Sequence, residues 1–125
     1  MPSRIQQIFG VCVFRYSEDE EVLRGVQDAV DVIGEAGAQN AGLVAIPMGS
    51  LDRGFFKLRT GLAGEMLQKF INYRLRVDLL GDFTELASQS TALRDFIRES
   101  NRGNTIWFLT DLEELRNRLA AQESH

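Results

Sequence analysis

A chain of 125 residues, 44% hydrophobic and 26% charged, has the size and composition of one globular domain that can bury its own core. Its net charge of -4 argues against the basic surface that non-specific nucleic-acid binding needs, and no apolar run approaches the roughly 18 residues of a membrane span. A single cysteine, Cys12, rules out an internal disulfide, and Met1-Pro2-Ser3-Arg4 leads into no hydrophobic signal region, so a cytoplasmic protein is expected.

In chain order, Gly10 separates two β-type runs, residues 4–9 and 11–16, which read as a hairpin or one bulged strand. Cys12, inside the second run, reads as a small buried hydrophobe. Ser17-Glu18-Asp19-Glu20 has capping-box form, and Val22, Val26, Val30 and Ile33 follow at helical spacing. Gly34 and Gly37 are expected to end that helix. Leu43-Val44-Ala45-Ile46 has the form of a buried strand, and Pro47, Gly49 and Asp52 mark a loop. A second helix is predicted over residues 55–73, with Leu58, Leu62, Met66 and Phe70 on its buried face. The next strand covers residues 74–80 and stops at Gly81-Asp82-Phe83. Ser88, Ser90 and Thr91 offer caps for a third helix with Leu93, Phe96 and Ile97 inward. Gly103 suits the left-handed position after it. Residues 105–109 form a strand, and Asp111 caps a last helix to about Ala121. The order β(β)αβαβαβα predicts a single α/β domain with a mainly parallel sheet of four to five strands and about four helices.

The unusual residues are concentrated in residues 55–103. Residues 53–102 carry 9 Lys/Arg against 6 Asp/Glu, while the remainder carries 5 against 12. A locally positive centre in an acidic chain suits a small anion or an acidic partner patch; a solvated helix face is the plainer account. Gly61 and Gly64 sit in a helical pattern, where each costs about 1 kcal/mol relative to alanine. Either another backbone comes close, or the helix starts at Thr60 and offers free N–H groups beside Arg59 to an anion.

Glu65, Lys69 and Asn72 share one helical stripe, with Gln68 beside it and Tyr73 at its end. They form an exposed charged face or the polar wall of a site. Asp82 follows a strand directly, a position that serves ligand binding in parallel sheets and also plain turns. Arg94, Arg98 and Arg102, with Asp95, Glu99 and Asn101, lie away from the inward residues of their helix, as an anion grip or a solvated face. A general acid or base has to come from Glu65, Lys69, Tyr73, Asp82, Asp95 or Glu99. The only histidine is His125, which leaves no His-based triad or His-rich metal site. No phosphate loop or dinucleotide fingerprint is present, so no cofactor is expected.

Phe55-Phe56-Lys57-Leu58-Arg59-Thr60-Gly61-Leu62-Ala63-Gly64-Glu65, then Gln68-Lys69-Phe70 and Asn72-Tyr73-Arg74, resemble the signature of a bacterial family known as domain of unknown function 4180. Gly81-Asp82-Phe83 and the run from Leu93 through Asn104 continue the resemblance over nearly the whole chain. The element order is similar to the sulfate-transporter and anti-sigma-antagonist (STAS) fold of bacterial partner-switching regulators. That likeness implies a phosphorylatable serine after the strand that precedes the second helix. Ser50 is the nearest hydroxyl in Ser50-Leu51-Asp52-Arg53-Gly54, and the usual aspartate–serine pair is absent.

Two functions follow as expectations. The first is a regulatory or binding module that uses residues 55–103 to hold a protein partner or small anionic ligand, through Thr60, Gly61, Gly64, Gln68, Asn72, Tyr73, Arg94, Asn101 and Arg102. The second is a cofactor-independent enzyme doing acid/base chemistry with Glu65, Lys69 and Asp82. A homodimer with Gly61 and Gly64 at a close helix contact is a third arrangement. Neither nucleic acid nor membrane is expected as a partner.

Overall fold

The computed structural model of the chain describes residues 4–123, so His125 lies outside the described residues. β1 (Ile5–Ile8) and β2 (Val11–Arg15) form an antiparallel hairpin. Its turn passes through Phe9 and Gly10, both at positive φ. Cys12 is half-buried rather than buried, with its thiol 3.8 Å from the Gln39 carbonyl.

α1 (Val26–Ala38) begins at Val26, not at Val22. The Ser17 hydroxyl accepts from the Asp19 N–H in a local turn and caps no helix. Tyr16 donates its hydroxyl to the Glu21 carbonyl, and Leu23 exchanges main-chain bonds with Ser50 and Asp52. These bonds hold residues 17–24 as a loop. Gly34 and Gly37 lie inside α1, which runs on to Ala38. The left-handed backbone comes two residues later, at Asn40 (φ 59°).

β3 (Leu43–Pro47) is followed by three short 3-10 turns, Met48–Ser50, Arg53–Phe56 and Leu58–Thr60, where a helix was predicted from residue 55. Local side chains divert the chain. Asp52 accepts from the Gly54 N–H, and Thr60 donates to the Lys57 carbonyl. Gly61 then takes φ 78°, which only glycine adopts at no steric cost. α2 (Leu62–Asn72) starts after that break, and its Leu62 N–H donates to the Thr60 hydroxyl. α2 buries Ala63, Met66, Leu67 and Phe70, as a 3.6-residue repeat requires.

β4 (Arg76–Leu80), β5 (Ile106–Leu109) and α5 (Leu112–Glu123) fall close to their predicted places. The Asp111 carboxylate accepts from the Glu114 N–H, a cap as expected. Between β4 and β5 stand two helices instead of one, α3 (Thr84–Gln89) and α4 (Thr91–Arg102). Ser90 separates them and caps α4 by accepting from the Leu93 N–H. Gly103 is extended rather than left-handed, and its carbonyl accepts from Trp107 Nε1.

The chain folds as the small α/β domain expected, with five helices around a five-stranded sheet in the order β1-β2-β3-β4-β5. β2 to β5 are parallel and β1 is an antiparallel edge. A sequential order with right-handed crossovers sends every connecting helix to one face. That face packs Phe14, Val44, Ile46, Val77, Leu79 and Phe108 against α1 and α2, with Leu86, Phe96 and Ile97 of α3 and α4 joining them. The other face, Ile8, Val13, Leu43, Ala45, Trp107 and Leu109, lies under Leu115 and Leu119 of α5 alone among the described helices.

Candidate functional site

The loop of 3-10 turns and the pair α3–α4 leave a groove of about 790 Å³ between them, beyond the carboxyl ends of β3 and β4. Met48, Gly49, Leu51, Phe56 and Leu58 form the loop wall, and Leu86, Gln89, Ser90, Ala92 and Leu93 form the helix wall. Arg53, Lys57 and Arg59 stand on the loop side. None of the three has a carboxylate within ion-pair distance among the described residues, and no acidic residue lines the groove.

Two local features shape this wall. Phe56 is fixed edge-on to Phe55 (5.2 Å between centroids) and tilted against Phe83 (6.0 Å). Met48 lies so close to the end of β4 that a Cβ on Gly81 would stand 2.6 Å from its own Cβ. Gly81 is therefore needed for Met48 to occupy its place.

Two smaller hollows lie elsewhere. One, of about 410 Å³, is acidic, with Asp19, Glu20, Glu21, Asp28, Asp31 and Glu35 in its lining. Arg4 pairs with Glu20 and with Glu35 (2.7 Å). Among the described residues no three carboxylates, thiols or imidazoles are placed to hold a metal ion. The other, of about 260 Å³, holds Asp82 among Phe83, Thr84, Ile97, Phe108 and Thr110.

The residues singled out from sequence are dispersed over these surfaces. Asp82 is exposed and accepts from the Thr84 N–H (3.0 Å); hydrogen bonds from the Thr84 hydroxyl and N–H hold its carboxyl below the usual value. Glu65, Gln68, Asn72 and Tyr73 are exposed and Lys69 is half-buried, and none of the five lines the groove or either hollow. Gln68 donates to Asn72 (2.9 Å) along α2, and Glu65 and Lys69 make no ion pair among the described residues. Gly64 has open space where a Cβ would stand, and Gly61 serves the left-handed break. Neither glycine admits a second backbone within the chain.

On α4, Arg94 and Arg98 share Asp95 (3.8 and 3.9 Å), and Arg102 pairs with Glu99 (3.1 Å), all on an exposed face. The Asn101 amide is fully engaged: it donates to the Phe108 carbonyl (3.1 Å) and accepts from the Phe108 N–H (2.7 Å). Ser50, the hydroxyl nearest the position of a STAS-type phosphoserine, is 1% exposed, and its Oγ has no hydrogen-bond partner among the described residues.

Sequence reasoning missed Asp78. β4 places it on the α5 face, in register between Ala45 and Trp107, at 1% exposure. Burial pushes its carboxyl up to about 7, against the opposing pull of Arg76 and Arg118. Its Oδ2 and the buried Nε of Arg76 both lack hydrogen-bond partners. The Arg118 and Arg76 guanidiniums lie 4.2 and 4.7 Å from the Trp107 ring centroid. Arg118 also donates to the Asn101 carbonyl, and Arg76 to Gln122 of α5. Asp78 lines neither the groove nor a hollow. The signal was present in Val77-Asp78-Leu79-Leu80, a charge at an inward position of a strand covered on both faces.

Among the described residues no helix is long and apolar enough to cross a membrane. No curated protein and no solved structure matches the chain, so the likeness to the STAS fold stays one of element order. One family model does match, over residues 9–119, and the chain belongs to that family, described as Domain of unknown function (DUF4180).

Proposed function

We propose that the chain is a cytoplasmic binding module with a regulatory role, and that it holds a small organic anion in the groove between the 3-10 loop and α3–α4. One observation carries this reading. The groove combines ligand-sized volume with three cations, Arg53, Lys57 and Arg59, that have no carboxylate partner among the described residues. Cations on one wall of a groove raise the local concentration of anions there. The groove also overlaps the locally positive stretch of the sequence.

The alternative, an acid/base enzyme built on Glu65, Lys69 and Asp82, requires those groups around one substrate. The three side chains line no common cavity, which favours binding over catalysis. Native mass spectrometry of protein taken directly from its bacterial host tests the proposal. The expected result is a co-purifying small anion that is absent from the doubly substituted R53Q/R59Q protein. A wild-type chain that carries no such species, and whose melting temperature no organic anion raises, overturns it.

A further inference from the structure

The groove has two chemically different parts, and a ligand that fits both is narrower than "an anion". Resting on the reading of the groove as the ligand site, we propose that its occupant is a free, single-headed anionic amphiphile, an alkyl chain ending in one carboxylate or phosphate. Met48, Leu51, Phe56, Leu86 and Leu93 offer continuous apolar walls from both sides of the groove. A small polar anion would leave those walls facing water, whereas an alkyl chain removes that area from water. The charge is confined to the loop side at Arg53, Lys57 and Arg59, and the helix side offers only the neutral Gln89 and Ser90. One head group on one side therefore matches the charge, and a second anionic end would meet no cation.

The shape supports a chain rather than a planar ring. Apart from Phe56 the apolar lining is aliphatic, and Met48, for which Gly81 leaves room, is the most adaptable of these side chains. The Ser90 hydroxyl caps α4 by accepting from the Leu93 N–H, and the formal positive charges of the lining are all on the loop side, so the head group is assigned to Arg53, Lys57 and Arg59. Among these, a guanidinium grips a carboxylate or phosphate with two parallel hydrogen bonds.

The test is titration calorimetry of the full chain with decanoate, decyl phosphate, decanol, acetate and inorganic phosphate, all below the concentration at which micelles form. Two variants accompany it. R53Q/R59Q removes two of the three head-group cations, and A92F fills the apolar part from an exposed position in the first turn of α4, where the added ring displaces no core side chain. Decanoate or decyl phosphate is expected to bind, with decanol, acetate and inorganic phosphate at least about tenfold weaker. Each variant is expected to weaken the two amphiphiles about tenfold or more while keeping the wild-type circular dichroism spectrum. The relative affinity of decanoate and decyl phosphate then identifies the head group.

Decanol equal to decanoate overturns the role of the cations. Acetate or inorganic phosphate equal to decanoate overturns the amphiphile while leaving the groove as an anion site. Amphiphile binding that neither variant weakens places the ligand elsewhere and overturns both readings. Sedimentation with anionic phospholipid vesicles, with no binding of the free amphiphiles, overturns a free ligand in favour of a lipid surface.

Discussion

The two faces of the sheet are buried by different means. One face lies under four helices and is closed by apolar mass, including the aromatic contacts from Phe55 through Phe56, Phe83 and Phe108 to Phe96. The other lies under α5, and polar contacts do much of the fastening there: Arg76 and Arg118 against Trp107, Arg118 to the Asn101 carbonyl, Arg76 to Gln122. A thick face tolerates surface change because its burial is shared among many side chains. A thin face concentrates its stability, and its sensitivity to pH, in a few groups.

Asp78 gives the sharpest test of that difference. Its folded-state carboxyl titrates near 7 instead of 3.8, so the native state holds a proton that the unfolded chain has already released. Stability is therefore fully present below the ordinary carboxylate range and is lost as pH rises through about 7. Urea denaturation is expected to show a loss of a few kcal/mol between about pH 4 and pH 7 and little further change above that, and Asp78→Asn should abolish the slope. Equal slopes in the two proteins would assign the loss to another group.

Asn101 joins the faces, since its amide bonds Phe108 while its carbonyl takes Arg118 from α5. Asn101→Ala strips both main-chain groups of Phe108 of their partners and should cost about 1–3 kcal/mol in the same assay. A change below 0.5 kcal/mol or so would show that water replaces the amide freely. The smallest effect belongs to the outside of the thick face. Gly64 is exposed on α2 with open space around its Cα, so Gly64→Ala should raise stability by about 0.5–1 kcal/mol. A decrease would mean that the α2 surface is less free than its geometry indicates.

The sheet was legible because its strands are short apolar runs bounded by turn residues, and α2, α4 and α5 because their inward residues recur at helical spacing. The misplaced boundaries have local causes. Val22 continues the helical pattern of Val26 and Val30, but Tyr16 ties down Glu21 locally and Leu23 bonds Ser50 and Asp52, a contact between distant parts of the chain. The start of α2 turns on one left-handed residue, Gly61; of the two readings of the glycines, close packing of a second backbone and a helix that starts at Thr60, the second lies nearer the structure. The sequence concentrated attention on polar residues with helical periodicity, such as Glu65, Lys69 and Asn72. Periodicity locates a face, but it does not say whether that face closes over anything. The groove is assembled from residues 48–59 and 86–93, and their meeting is a fact of tertiary structure. Within that set, Arg53, Lys57 and Arg59 were visible as part of the positive excess in residues 53–102.

The engagement of Phe108 by Asn101 has one more consequence. β5 is an edge of the sheet, and the donor and acceptor of Phe108 that face away from β4 are the groups that an incoming strand would seize. A side-chain amide now imitates that strand, so extension of the sheet past β5 is blocked at its centre. Freeing these two groups would give the chain a template for edge-to-edge aggregation. Asn101 therefore protects the solubility of the fold as well as its stability.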